Sequence, residues 1–166
     1  MEDIQHISDT ALWIAAYRAR ESERPDAAIK DPMARKLAGL RGFTMVETTP
    51  NTEAMAFAIV TRTTGIDGLV RHAIQRSVDT IINLGAGLDT RPYRLGLPPT
   101  LQWIEVDFST TIKYKNEVLK DDIPVCKLRR IASDLSHDSE RQSLFAQLAK
   151  VTKKALIITE GVDAYL

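Results

Sequence analysis

The sequence predicts an α/β fold: a parallel sheet of about four strands, preceded by an N-terminal helical extension. Three observations predict it. Apolar residues recur at helical spacing through residues 1–77. Four short apolar runs rich in β-branched residues follow, at VDTIINL, LQWIEV, VCKLRRIA and ALIIT. Helix-like stretches separate them, which implies right-handed crossovers between parallel strands. The runs read as apolar almost throughout, as for strands covered on both faces.

In residues 1–77, Ser8 or Asp9 caps a first helix over TALWIAAYRARESE, with Leu12, Ala15, Ala16 and Ala19 on its apolar stripe. Pro25 lies past its end. Asp31-Pro32 reads as a cap followed by proline at the first helical position, opening a short helix MARKLAG that ends at Gly39. RGFTMVETTP is expected to be a connector. Asn51 or Thr52 caps a third helix carrying Met55, Ile59 and Val60, interrupted near Gly65 and continuing through GLVRHAIQRS. Among the crossovers, FSTTIKYKNEVLK is capped by Ser109, and HDSERQSLFAQLAKV forms the next helix.

Length and composition set the frame. The 166 residues fit one domain, with 44% apolar and 27% charged residues and zero formal net charge. A strong basic excess, which would favour nucleic acid or a membrane surface, is absent, so neither partner is expected. No apolar run approaches the roughly 20 residues of a membrane helix. The first residues, MEDIQHISDT, lack the basic and apolar regions of a signal peptide. The single cysteine, Cys126, excludes an intramolecular disulfide, and a cytoplasmic location is expected. Cys126 sits in an apolar run and reads as a buried structural thiol. His6, His72 and His137 have no metal-ligand spacing, so no metal site is expected.

The chemistry gathers at the ends of the strand-like runs, where open parallel sheets bind ligands. Asn83-Leu84-Gly85-Ala86-Gly87-Leu88-Asp89-Thr90 follows the first run. Gly85 and Gly87 permit a sharp turn and close approach of a ligand, although an ordinary strand-to-helix turn needs the same residues. Thr90 stands where the dinucleotide fingerprint wants a third glycine, which disfavours a pyrophosphate and a nicotinamide-dependent oxidoreductase. Glu105 and Asp107 end the second run, about 20 residues on, where a carboxylate grips a ribose diol. Asp107 is the better placed of the two, and its alternative role is a helix cap. Asp134-Leu135 follows the third run and suits an adenine amine and ring face, with helix capping again the alternative. Glu160 closes the fourth run. Three acids at successive strand ends suit a cationic, donor-rich ligand. Arg62 could pair with a ligand carboxylate, and Arg91 and Arg94 follow the glycine turn, although such arginines are more often solvated.

These strings resemble the leucine carboxyl methyltransferase family, in particular its bacterial S-adenosyl-L-methionine-dependent branch. The carrying segments are TALWIAAYRARESERPDAAIKDPMARKLAG, NLGAGLDTRPYRL, EVDF, SDL and ITEGVDAYL, in the family's order over nearly all of residues 8–166. The resemblance implies a Rossmann-like methyltransferase sheet with extra helices in front, and S-adenosyl-L-methionine as cofactor. It implies Gly85 and Gly87 against the methionine part, Asp107 on the ribose, Asp134 and Leu135 on the adenine, Arg62 on the cofactor carboxylate and Glu160 close by. One of Arg18 and Arg20 matches a basic residue near that carboxylate. Family members run longer, so residues 78–166 are expected to be the N-terminal half of the catalytic domain, without its C-terminal half. Asp163-Ala164 departs from the apolar residues that members more often carry there.

The implied activity is O-methyl transfer to a carboxylate or hydroxyl of a small-molecule acceptor. A carboxylate needs no base at neutral pH, whereas a hydroxyl does. No base stands out, so no catalytic residue is assigned. The competing expectation is an inactive homologue that binds the cofactor or a partner chain, since an unfinished sheet edge favours self-association or a complementing chain.

Overall fold

Four strands form one sheet in the order β3-β2-β1-β4, with every neighbouring pair parallel. The computed structural model describes residues 9–160. The strands are β1 (Thr80–Leu84), β2 (Gln102–Asp107), β3 (Lys127–Ala132) and β4 (Ala155–Thr159). The chain steps outward from β1 through β2 to β3, then returns to lay β4 on the other side of β1. That reversal opens a crevice at the carboxyl end of β1. The crossovers carry α4 (Arg91–Arg94), α5 (Ser109–Val118) and α6 (Asp138–Ala149).

Side-chain alternation divides the sheet between two cores. Ile81, Trp103 and Ile158 face one way and pack with Val70, Leu95 and Leu101. Ile82, Leu84, Ile104 and Val106 face the other way and meet Leu144 and Leu148 of α6. β1 is buried along its whole length, and β2 at its four central residues. The expectation of strands covered on both faces fails for the outer two. β3 carries Lys127, Arg129 and Arg130 and is partly exposed throughout. In β4, Ile157 is 51% exposed. Among the described residues both stand at an edge of the sheet, each beside a single strand.

Three helices precede the sheet: α1 (Asp9–Ser22), α2 (Ala34–Thr48) and α3 (Thr52–Gln75). On α1 the expected stripe of Leu12, Ala15, Ala16 and Ala19 is buried, joined by Tyr17 and Arg18. Ser8, the alternative cap, lies outside the described residues, as do His6 and residues 161–166. Asp31 accepts the N–H groups of Met33 (3.2 Å) and Ala34 (3.1 Å), which are the bonds of an N-terminal cap.

Two expectations for this region are corrected. Gly39, at φ 55° and ψ −176°, does end the first helical segment of α2, but RGFTMVETTP is not a connector: the chain resumes helical geometry through it to Thr48. Burial of Val46 and packing of Phe43 against the same core hold the second segment in place. Helix α3 runs through Gly65 without a break. A Cβ at Gly65 or Gly68 would meet nothing within 4 Å, so neither glycine answers to a close approach. The buried stripe of α3 is Ile59, Thr63, Asp67 and Val70, an apolar helical face interrupted by an acid.

Gly42 sets the closeness of α1 and α2. A Cβ there would lie 2.6 Å from the Leu12 carbonyl oxygen and 3.2 Å from the Ala38 Cβ. The clash involves backbone, which cannot swing aside. Gly42→Ala should therefore destabilise the fold by about 1–3 kcal/mol despite alanine's better helix propensity. Urea denaturation checks this, and an unchanged or raised midpoint would contradict the packing argument.

Candidate functional site

The glycine turn lies where β1 ends. Gly85 (φ 62°) and Gly87 (φ 47°) both take left-handed backbone geometry, which a side chain would strain. The Ala86 N–H donates to the Val106 carbonyl (3.1 Å), tying the turn to β2. The Gly87 N–H donates to Asp107 Oδ2 (2.7 Å), and the Phe108 N–H to Asp107 Oδ1 (2.7 Å). Asp107 thus joins the glycine turn to the start of α5. It is half-buried and keeps lone pairs on both oxygens for further donors.

Around this turn lies a cleft of about 530 Å³, within the range of small-ligand sites. Arg62, Gly85, Gly87, Asp107, Leu135 and Glu160 line it together, although they come from α3 and four strand ends. Asp134 does not line it. Its carboxylate accepts the Ser136 N–H (2.9 Å) and hydroxyl (2.6 Å) and sits 3.1 Å from His137 Nδ1. The Ser136 bonds hold its carboxyl below the usual range.

The two acids of β2 separate cleanly. Glu105 is fully buried and paired with Lys115 (2.8 Å) and Arg130 (2.8 Å), away from the cleft. Burial pushes the Lys115 pKa down, and Glu105 opposes the shift. Cys126 is buried just before β3, and burial raises its thiol pKa to about 11. An unreactive thiol follows.

The cleft is not lined by acids alone. Arg18, Arg62, Arg91 and Arg94 face Asp89, Asp107 and Glu160 within it. Arg91 and Arg94 are not solvated, as such arginines usually are: their side chains are 3% and 4% exposed. Arg91 Nε donates to Asp67 (2.7 Å), and its Nη1 to Asp89 (2.7 Å) and Glu160 (3.2 Å). Arg94 forks onto both oxygens of Asp67 (2.6 and 2.8 Å). Asp31 accepts from Thr90 (2.6 Å) and from Arg18 (2.9 Å), which also donates to the Leu88 carbonyl (2.6 Å). Of the two N-terminal arginines, Arg18 therefore reaches the glycine turn. Arg20 is half exposed, 3.9 Å from Glu47. The outermost pair is Arg62 Nε with Glu160 Oε1 (2.8 Å).

Sequence reasoning missed Asp31 and Asp67 as parts of the site. The signal for Asp67 was its place on the buried stripe of α3, where an unpartnered charge would cost several kcal/mol. Arg18 carries the same signal on α1.

A parallel sheet whose strand order reverses beside a glycine turn, with an acid from the next strand gripping that turn, defines a Rossmann-like α/β protein. The chain belongs to the leucine carboxyl methyltransferase family, whose model matches residues 11–166. It is 37% identical over 139 residues to a Streptomyces coelicolor protein, covering 78% of this chain and 49% of that one. A Rhodococcus jostii protein is 36% identical over 171 residues, covering 98% of this chain and 58% of its own length. A Frankia alni protein is 32% identical over 168 residues, covering 95% and 58%. All three are assigned as S-adenosyl-L-methionine-dependent methyltransferases. The chain spans about half the length of these relatives.

Burial alone would raise the Asp89 pKa, but Arg91 and Lys115 outweigh it and hold the carboxyl well below its usual range. A depressed folded pKa contributes stability that is present above the unfolded value of about 3.9 and lost as pH falls through the folded value. Stability should therefore decline as pH drops below about 4, and Asp89→Asn should flatten that decline. Denaturation midpoints between neutral and acid pH test this. Parallel pH profiles for parent and variant would refute it.

Proposed function

We propose that this chain binds S-adenosyl-L-methionine in the cleft and forms the cofactor-binding half of a cytoplasmic methyltransferase. The activity is O-methyl transfer to a carboxylate or hydroxyl of a small molecule. The observation that carries the reading is Asp107, which lines the cleft and accepts the Gly87 N–H of the glycine turn.

The donor set fits the cofactor. Its ribose diol calls for a carboxylate, its amino-acid end for both charge signs, and its sulfonium for surroundings without a cationic excess. Four arginines balanced by nearby carboxylates meet the last two needs better than the purely acidic crevice expected from strand ends. In this reading Asp107 holds the ribose. Gly85 and Gly87 leave room for the methionine part, Arg62 meets the carboxylate, and Glu160 lies close to the cationic end. Leu135 packs the adenine ring, and Asp134 accepts from its amine after turning from Ser136. When bound, the cofactor supplies a methyl group on a sulfonium sulfur, which departs as a neutral thioether once the acceptor oxygen takes the methyl.

The chain's own contribution is alignment and exclusion of water. The buried arginine network fixes the cleft wall before a ligand arrives, so little reorganisation is needed. A second reading, a binding protein that pairs with a complementing chain or itself, draws support from Ile157, which is exposed on β4, an edge strand among the described residues.

S-adenosyl-L-methionine and its demethylated product should raise the melting temperature, and NAD should not. At a ligand concentration 100 times Kd the stabilisation is about 2.7 kcal/mol. Asp107→Ala should weaken calorimetric binding by about 1–3 kcal/mol. Equal binding by variant and parent would remove the ribose assignment. Stabilisation by none of the ligands would favour the second reading.

A further inference from the structure

The charged residues around Glu160 form a chain graded from interior to rim. Asp67 is 5% exposed, Arg91 3%, Glu160 19% and Arg62 42%. The inner contacts and the outer contact therefore differ in kind. Asp67 and Asp89 hold Arg91 where solvent cannot compete, at 2.7 Å each. The Arg62–Glu160 pair lies near solvent, where an ion pair contributes little and exchanges readily. Glu160 uses one oxygen for each arginine: Oε2 for Arg91, Oε1 for Arg62. A ligand ammonium can replace Arg62 at Oε1 while Arg91 keeps the carboxylate in place. Arg62 is then released toward a ligand carboxylate.

We infer that Arg91 is a positioning residue for the amino-acid end of the ligand, fixing Glu160 from the interior while Asp67 on α3 fixes Arg91. The inference rests on the cofactor reading proposed above. Lysine cannot replace Arg91 here. It carries the charge, but a single nitrogen cannot reach Asp67, Asp89 and Glu160 as the guanidinium fork does.

The test compares two ligands by calorimetry. S-adenosylhomocysteine carries the amino-acid end. Methylthioadenosine shares the nucleoside and thioether but lacks it. Arg91→Lys and Asp67→Asn should each weaken S-adenosylhomocysteine roughly tenfold or more, as for loss of one charge-assisted bond, and leave methylthioadenosine within about twofold. Glu160→Gln should show the same selectivity. Combining it with Arg91→Lys should add little, because both act through one carboxylate. Should Arg91→Lys or Asp67→Asn fail to fold, Glu160→Gln decides, since Glu160 lies nearer the rim at 19% exposure: selective weakening of S-adenosylhomocysteine upholds the arrangement, and equal weakening of both ligands overturns it. Equal weakening of both ligands would make Arg91 merely structural and overturn the inference alone. A parent that binds neither ligand overturns the cofactor reading and this inference with it.

Discussion

Asp67 is the constraint on which the site depends. It is an acid on the buried face of a long helix, and a buried carboxylate without a partner costs several kcal/mol. Arg91 and Arg94 supply three bonds to it. Both arginines belong to the segment after the glycine turn. Docking α3 onto the sheet and shaping the turn are therefore one event: neither partner can be buried without the other. Asp31 repeats the arrangement from the front of the molecule, binding Thr90 of the same segment and Arg18 of α1. Two acids outside the sheet thus hold the turn on which a ligand would rest.

This arrangement accounts for the charge of the cleft. The arginines are present because the acids beneath them must be paired, and the cleft wall inherits both signs. A mixed wall accepts a zwitterion without a large net field. The fully buried Glu105, with Lys115 and Arg130, does similar work one layer down. It ties α5 and β3 to β2 and leaves Asp107, two residues later, to turn outward. The two acids share one face of β2, and their position along the strand separates them: Glu105 is covered by Lys115 and Arg130, whereas Asp107 is the last residue of the strand.

Much of this was legible in the sequence. The strand count, the glycine turn and the strand-end positions of Asp107, Leu135 and Glu160 follow from period and punctuation, which act locally. What was not legible depends on partners far apart in the chain. Arg91 and Arg94 read as solvated because nothing near them in sequence neutralises them. Asp67 lies 24 residues from Arg91, and Asp31 lies 59 from Thr90. Asp134 shows the opposite case. A serine two residues on gives its carboxylate local partners, so a strand-end acid turns into a turn-forming one. The connector expected after Gly39 failed for a related reason. The glycine does break helical geometry, but burial of Val46 makes a second helical segment favourable.

The edge strands show where sequence pattern and environment part. β4 is as apolar as β1, yet only Ile158 of its five residues is buried, whereas all five of β1 are. The difference is position in the sheet, since β1 has strands on both sides and β4 has one. Glu160 follows β4 directly. The carboxylate that closes β4 is held by two arginines from elsewhere, Arg91 from the interior and Arg62 from α3. The buried Arg91 contact orders the strand's end, whereas the outer Arg62 contact lies near solvent and contributes little.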